Sequence, residues 1–419
     1  MIGLVDGNNF FVSCERVFDP KLRGKPVAVL SNNDGCCISR SNEFKALGIA
    51  MGTPYFQLKA RALSGELTFR SSNYELYGDM SRRMVDLLRQ ESVKTEQYSI
   101  DEAFIYPPTA AKADLVAYGK RLRTKILRWI GIPCGVGFAP TKTLAKIANH
   151  IGKKLKDGVF ALPDDPTQTL AALPVEEIWG IGRHLAAKLH AHGVHTAKQF
   201  RDMDDDDIRN LGSVTTVKVA TELRGTPCID DRDYDADPES VSCSRSFGEP
   251  VTTLDALSES ISSFTAKAAE KLREHGLVAS GANIYAQHGA ARSSDWAART
   301  VAFPHPTDAT NEMLSAIRRE ISAIFVPGLR YRKSGMVFFG IEKANAPRQM
   351  NFFQTDGDIA RRAGNQRLFK AVDALNARYG AGKVFSAAEG IGDSLKWKAK
   401  RTMLSNRATT DWNELITVK

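Results

Sequence analysis

Cysteine is scarce in this 419-residue chain, and its six copies form no recognisable framework. Cys14, Cys36, Cys37, Cys134, Cys228 and Cys243 include no C-x-x-C pair and no metal-type spacing with histidine. The neighbours Cys36 and Cys37 cannot easily bond to each other. A disulfide scaffold and a structural zinc are therefore not expected, and reduced thiols in a cytoplasmic protein are. Long apolar runs are also missing: none approaches the roughly 20 residues that span a bilayer, so no membrane partner is expected. The N-terminus lacks the charged-then-apolar pattern of a secretory signal. Positive charge is plentiful. Lys and Arg number 57 against 48 Asp and Glu, giving +9 and a pI near 9.2. That balance favours a polyanionic partner, although basic chains without one are common. The length suggests two to four domains.

The most informative residues are acidic. Asp101 and Glu102 are adjacent in the apolar run YSIDEAFIY, and Asp6 closes the first strand-like run, MIGLVDG. Three carboxylates gathered in a dry setting repel one another, because burial and like charge both oppose ionisation. Divalent cations relieve that repulsion, and hard oxygen ligands suit Mg²⁺. Two such ions about 4 Å apart clamp the attacking and leaving oxygens of phosphoryl transfer. A lone Asp-Glu pair in an exposed hairpin would mean nothing, so the remainder of the chain has to decide.

Residues 75–92 and 112–130 carry helical spacing, the latter through Leu115, Tyr118, Leu122 and Ile126. VKTEQYSIDEAFIYPP reads as two strands around a tight turn, PCGVGFAP as a short strand, and TKTLAKIANHIGKKL as a basic helix. The order gives an α+β sheet domain with the carboxylates near its strand ends and an insertion at about 19–74. Residues 174–226 look wholly helical. WGIGRHLAAKLHAHGV there has the form of a helix-hairpin-helix, whose Gly180-Ile181-Gly182-Arg183 turn offers N–H groups to a DNA phosphate. A plain αα-hairpin with a glycine turn would look the same. The run Asp204–Asp207 reads as a solvated helix start. An acidic linker, CIDDRDYDADPES, precedes a strand-helix-strand-strand-helix-strand order from 241 to about 343, a split βαβ arrangement. Arg245, Arg292, Arg299, Arg330, Arg332 and Lys333 lie on or beside those strands. They can track a duplex backbone, with solvated surface charge as the competing reading. QMNFF, residues 349–353, pairs aromatics in a polar joint, a pattern suited to a partner's pocket. The stretch 365–419 ends in the basic KWKAKRTMLSNR and reads as an appended module.

Taken together, these parts supply carboxylates for two metals, lysines for a triphosphate, and two later domains for a duplex. At LVDGNNFFVSCE, SNNDGCCISRSNEFKALG, SSNYELYGDMS, YSIDEAF, GFAPTKTLAKIANH, WGIGR, SCSRSFGE and LNARYGAGK…KRTMLS the sequence strongly resembles the Y-family DNA polymerases, most closely their UmuC-type branch. The resemblance covers essentially the whole chain. A palm-fold nucleotidyl cyclase also uses paired carboxylates, but it has no use for a helix-hairpin-helix followed by a basic sheet domain. A catalytically dead DNA-binding scaffold would have no reason to keep the acidic trio in an apolar setting.

The resemblance implies a right-hand α+β multidomain fold. Palm would occupy 1–18 and 75–165, small fingers 19–74, a helical thumb with the helix-hairpin-helix 166–228, and a linker 229–240. A split-βαβ little finger would follow at 241–345, then a clamp-binding peptide and C-terminal module at 346–419. It implies a DNA-directed DNA polymerase (EC 2.7.7.7) performing error-prone translesion synthesis in the SOS response. Asp6, Asp101 and Glu102 would be the catalytic, metal-binding trio with the carbonyl of Gly7, holding two Mg²⁺ for which Mn²⁺ can substitute. Lys146 and Lys45 would grip the triphosphate, with Asn42 one turn before Lys45; many relatives carry Arg and Tyr at those last two positions. Phe11, often Tyr in relatives, would be the steric gate against ribonucleotides. Phe10 would sit beside it, where it also reads as ordinary core, and Ile38 would roof the nascent base pair. Gly180, Ile181, Gly182, Arg183, Arg245 and Arg332 would contact DNA. Gln349, Met350, Asn351, Phe352 and Phe353 would bind the sliding clamp, with Met350 and Phe352 in place of commoner leucines. The other implied partners are primer-template DNA, dNTP, the UmuD′ dimer and the RecA filament.

Overall fold

The computed structural model describes residues 1–109, 111–230, 237–289, 295–346, 355–392, 395 and 397–415. The chain divides into two compact units, Met1–Tyr234 with Thr402–Lys419, and Asp235–Arg401. Among the described residues no helix is long and apolar enough to cross a membrane, and all six cysteines are free thiols.

In the first unit, β1 (Ile2–Gly7) is buried along most of its length. Helix α1 (Phe10–Phe18) follows almost at once because Asn9 takes a left-handed turn at φ 49°, ψ 46°, which asparagine tolerates better than most residues. The chain then builds β2 (Val27–Leu30), β3 (Cys37–Arg40), α2 (Asn42–Ala46), α3 (Tyr55–Leu63) and β4 (Thr68–Ser71). The three strands pair in the order β3-β2-β4 around a small core that includes Leu30, Phe44, Leu58 and Phe69. Ser41 caps α2, accepting the Phe44 N–H at 3.2 Å.

Asn73 caps the next helix, α4 (Tyr74–Glu91), by accepting the Leu76 N–H at 3.3 Å. There follow β5 (Lys94–Gln97), β6 (Glu102–Tyr106), α5 (Lys112–Ile130), β7 (Cys134–Ala139), α6 (Lys142–Gly152) and β8 (Val159–Ala161). The strands form a five-stranded sheet ordered β5-β6-β1-β7-β8, with β1 central and antiparallel to both neighbours. Alternation sends Val5, Ile105 and Val136 to one face, where α4 and α5 supply Met80, Met84, Leu122 and Ile126. Leu4 and Phe104 face α6 and its Leu144 and Ile147. Gly137 makes that second face possible: a side-chain carbon there would overlap the backbone nitrogen of Asn149, so α6 rests directly on β7.

Five short helices follow, α7 (Thr167–Ala172), α8 (Arg183–Ala191), α9 (Ala197–Arg201), α10 (Asp205–Leu211) and α11 (Val214–Leu223). Asp204 caps α10, and Asp205–Asp207 fill its first turn, where the helix dipole favours negative charge. Glu222 of α11 is 1% exposed and serves the start of α6, accepting the Thr143 N–H and hydroxyl at 2.8 Å each.

The second unit holds β9 (Val241–Val251), α12 (Leu254–Glu274), β10 (Leu277–His288), β11 (Trp296–Thr307), α13 (Thr310–Ile321) and β12 (Tyr331–Lys343). Its antiparallel sheet is ordered β11-β10-β12-β9, and Phe264 and Ile317 of the helices pack with Ile284, Met336 and Phe338 of the strands. Helix α14 (Asp356–Tyr379) joins this unit through a two-pronged pair from Arg273 to Asp373 at 2.6 and 2.9 Å. Residues 402–415 group with the first unit, where Met403 packs into the small core of β2–β4 and hydrogen-bonds to Ser71.

Candidate active site at the strand ends

Strand pairing places the three carboxylates. Asp6 is the register partner of Glu102 across β1 and β6, and such directly opposed residues have side chains about 5 Å apart at Cβ. Asp101 occupies the turn beside them: its carbonyl accepts the Gly7 N–H at 2.9 Å. Ser99 organises that turn. Its hydroxyl oxygen accepts the N–H groups of Asp101 and Glu102 at 3.3 and 3.0 Å, and it donates to Asp101 Oδ1 at 2.7 Å. Crowding has an electrostatic cost. Burial pushes the Asp6 carboxyl up to about 7; Lys153 pulls it back down, while Glu102 and Asp101 push it further up.

Two ammonium groups answer the charge. Lys153 Nζ lies 2.5 Å from Asp6 Oδ2, and Lys146 Nζ lies 2.8 Å from Glu102 Oε2. The two lysines stand two helical turns apart, Lys146 in α6 and Lys153 just past its end, so they share one face of the helix. Lys146 also sits over the rings of Tyr98 and Trp179, 4.3 and 5.2 Å from their centroids, and the Trp179 indole N–H donates to the Tyr98 hydroxyl at 3.1 Å. The sequence pattern assigned Lys146 to a triphosphate; here it is held on Glu102. Lys153 escaped the sequence pattern, although a lysine two turns after Lys146 on one basic helix was the available signal. Lys45 is a third cation. Its ammonium pKa is lowered by burial first, then by Arg40 and Lys153, with Asp6 opposing. Asn42, one turn earlier, accepts the Asn9 side-chain amide at 3.0 Å.

Among the described residues, no three side chains converge closely enough to ligate a metal ion as they stand. The donor set nevertheless suits a divalent metal. Asp6, Asp101, Glu102 and the Gly7 carbonyl are all hard oxygen donors, and burial first, then the charges of Glu102 and Asp101, raise the Asp6 carboxyl against the pull of Lys153.

Beside the carboxylates lies an aromatic group. Phe11 stacks on Tyr77 with centroids 4.5 Å apart and planes 12° from parallel, and meets Tyr74 edge-on at 6.0 Å. Phe10 is 3% exposed and belongs to the core, whereas Phe11 is only partly buried against it. Ile38 of β3 also packs partly on that core.

Family models match along the chain: the impB/mucB/samB family at residues 5–150, the IMS family HHH motif at 164–194, the impB/mucB/samB family C-terminal domain at 238–352, and a domain of unknown function, DUF4113, at 366–418. Protein UmuC of Salmonella typhimurium (strain LT2) is 39% identical over 428 residues, covering 100% of both chains. The chain belongs to the UmuC-type Y-family DNA polymerases. Protein ImpB of Salmonella typhimurium is 36% identical over 99% of each chain, and DNA polymerase IV 1 of Bacillus subtilis is 26% identical over 90% of each. The fold is that of the Y family. A solved Y-family DNA polymerase chimera of Dbh and Dpo4 superimposes with a TM-score of 0.67 at 20% identity, covering 82% of this chain and 100% of its own. An insertion ternary complex of Dbh DNA polymerase gives 0.56 over the same shares.

In this UmuC-type chain the Gly180–Arg183 turn opens α8: Gly180 has φ +90°, Gly182 is the N-terminal cap, Arg183 is exposed, and Ile181 is buried at 6%. Ile181 therefore anchors the turn in the core. The two arginines singled out on the second unit's sheet differ. Arg332 is exposed, beside a register shift between Tyr331 and Lys333. Arg245 departs from the sequence-based expectation. It pairs with Ser334, whose hydroxyl meets Ser260 of α12 at 3.0 Å, so Arg245 turns to the helix-covered face beside Lys267. The open face instead carries Lys333 over the Trp296 ring, which packs edge-on against Tyr285. Gln349–Phe353 lie outside the described residues, as do residues 231–236 of the linker.

Proposed function

We propose that this chain extends a primer by template-directed nucleotidyl transfer, as an error-prone translesion DNA polymerase of the SOS response. The observation that carries the reading is the register of Asp6 against Glu102, with Asp101 beside them and the cations Lys153, Lys45 and Arg40 on the Asp6 side. Lys153 beside Asp6, and Lys45, whose proton affinity is lowered by burial and then by Arg40 and Lys153, suit an anion as polyvalent as a triphosphate. The primer 3′-oxygen attacks the α-phosphorus, the bond to the bridging oxygen breaks, pyrophosphate leaves, and the hydroxyl proton is lost. Asp6, Asp101, Glu102 and the Gly7 carbonyl would hold two Mg²⁺, with Mn²⁺ able to substitute, and bound metal makes the 3′-hydroxyl acidic and offsets phosphate charge.

The remaining work falls to protein groups. Lys153, paired with Asp6 in this structure, would turn to the triphosphate, with Lys45 and Asn42 further along it. Lys146, paired with Glu102 in this structure, would grip the triphosphate and offset charge developing on the leaving pyrophosphate. Phe11 presents its ring beneath the sugar and excludes a 2′-hydroxyl by contact, and Ile38 roofs the base pair. Arg183 and the N–H groups of the α8 turn hold a DNA phosphate, and Arg332 and Lys333 track the duplex. By resemblance, residues 349–353 bind the sliding clamp, and the C-terminal module meets the UmuD′ dimer and the RecA filament in the cytoplasm.

Primer extension with purified protein in Mg²⁺ tests the assignment. Asp101→Asn is expected to lower extension by at least about 10²–10³-fold, with duplex affinity nearly intact. Normal extension by this variant would end the catalytic assignment.

A further inference from the structure

The C-terminal segment Thr402–Asn406 crosses the base of the small three-stranded sheet and ends behind the aromatic group. Thr402 donates its N–H and hydroxyl to Asp34 Oδ2 at 2.8 and 2.9 Å, and Ser71 donates to the other oxygen of Asp34 at 2.5 Å. Asn33 and Asp34 both lie in the left-handed region, at φ 60° and 51°, a conformation that needs such outside support. Met403 and Ser71 exchange hydrogen bonds: the Met403 N–H donates to Ser71 Oγ at 3.0 Å, and the Ser71 N–H to the Met403 carbonyl at 2.9 Å. Asn73, the cap of α4, donates its side-chain amide to Ser405 Oγ at 3.0 Å and to the Asn406 carbonyl at 3.3 Å.

The last link reaches the site. The Ser405 hydroxyl donates to Glu15 Oε1 at 3.1 Å, and the Tyr77 hydroxyl donates to the same oxygen at 2.6 Å. Glu15 is 1% exposed. A carboxylate so deeply placed depends on its donors, and bonds of this charge-assisted kind are strong and directional. Tyr77 in turn is the ring on which Phe11 stacks.

We propose that Ser405, reaching in from the C-terminal segment, is a positioning residue for the Phe11 ring through Glu15 and Tyr77, so that sugar discrimination depends on the chain's own tail. This rests on the reading of Phe11 as the sugar gate. Asp34, Ser71 and Asn73 fix where the segment crosses, and Ser405 fixes the Glu15 rotamer that holds Tyr77 flat against Phe11. A tail that only completed the fold would alter stability and leave sugar choice alone.

The test compares kcat and KM for a dNTP and the matching rNTP in the full chain. The variants are Ser405→Ala, Ser405→Thr, a chain ending at Arg401, Phe11→Ala, and Phe11→Ala combined with Ser405→Ala. Ser405→Ala is expected to raise the rNTP-to-dNTP ratio of kcat/KM by about 3- to 10-fold, the scale of one ordinary net hydrogen bond transmitted to the ring. Ser405→Thr restores it, and the increase disappears when Phe11 is already Ala. Should the shortened chain fail to fold, the point variants still decide. An unchanged ratio in Ser405→Ala, alongside a raised ratio in Phe11→Ala, overturns the proposal and leaves the gate reading standing. An unchanged ratio in Phe11→Ala removes the gate reading and this proposal with it.

Discussion

The Lys153 ammonium lies 2.5 Å from the Asp6 carboxylate, yet Asp6 still binds its proton far more tightly than an ordinary aspartate. One partner cannot offset burial plus two neighbouring carboxylates.

A stability measurement follows from that imbalance. With the Asp6 carboxyl at about 7 instead of 3.8, its favourable contribution is complete below about pH 4 and is lost as the pH climbs toward 7. Without metal, Asp6→Asn should therefore melt higher than the native chain at pH 8, by on the order of 1–3 kcal/mol of stability, and the gap should close toward pH 5. Thermal melts in a chelator check this; a lower melting point for Asp6→Asn at pH 8 would refute it.

Lys153 should matter for nucleotide affinity. Lys153→Ala is expected to raise the KM for dNTP by roughly 10-fold or more, the loss of one charge-assisted contact of about 1.5–3 kcal/mol, with a smaller effect on kcat. Steady-state kinetics on one primed template, at fixed Mg²⁺, separate the two. A fall in kcat at unchanged KM would move Lys153 from the triphosphate to the chemical step.

In the role proposed for it, Phe11 rejects the ribose by contact alone, since its ring carries no hydroxyl. Phe11→Ala is expected to increase ribonucleotide incorporation by roughly 10- to 10²-fold, since forcing extra atoms into a filled contact costs about 1–3 kcal/mol. Competition between labelled dNTP and rNTP on a primed template reads it out, and unchanged sugar choice would place the gate elsewhere.

Glu222 is a structural counterpart. Beyond Thr143, it accepts the Cys228 and Ile229 N–H groups at 3.4 and 3.2 Å. Glu222→Ala should cost about 3–5 kcal/mol of stability by stranding several buried donors. Denaturant melts would show a loss below about 1 kcal/mol if the network were idle.

Much of this architecture was legible in local sequence. The apolar run ending at Asp6, the paired strands around Asp101 and Glu102, and a helix over 112–130 all follow from periodicity, because each signal lies within a few residues. The strand-helix-strand-strand-helix-strand order of the second unit was legible for the same reason. What escaped depends on contacts between remote parts. Lys153 meets Asp6 only because α6 docks on β7. The face taken by Arg245 depends on the pairing of β9 with β12, whose register shifts between Tyr331 and Lys333. The return of Thr402–Asn406 joins Asn73 to a serine 332 residues away, and no property of KRTMLSNR on its own announces that destination.

The absent side chain at Gly137 has one more result. Helix α6 meets β7 main chain to main chain, so the height of both lysines above the acidic trio is a hard stop, with no cushion of side-chain atoms to compress or swell. Drift elsewhere in the palm can soften or stiffen the sheet without changing that reach. Retuning it would require altering the length of the basic side chains themselves, and arginine at 146 or 153 is the shortest route to doing so.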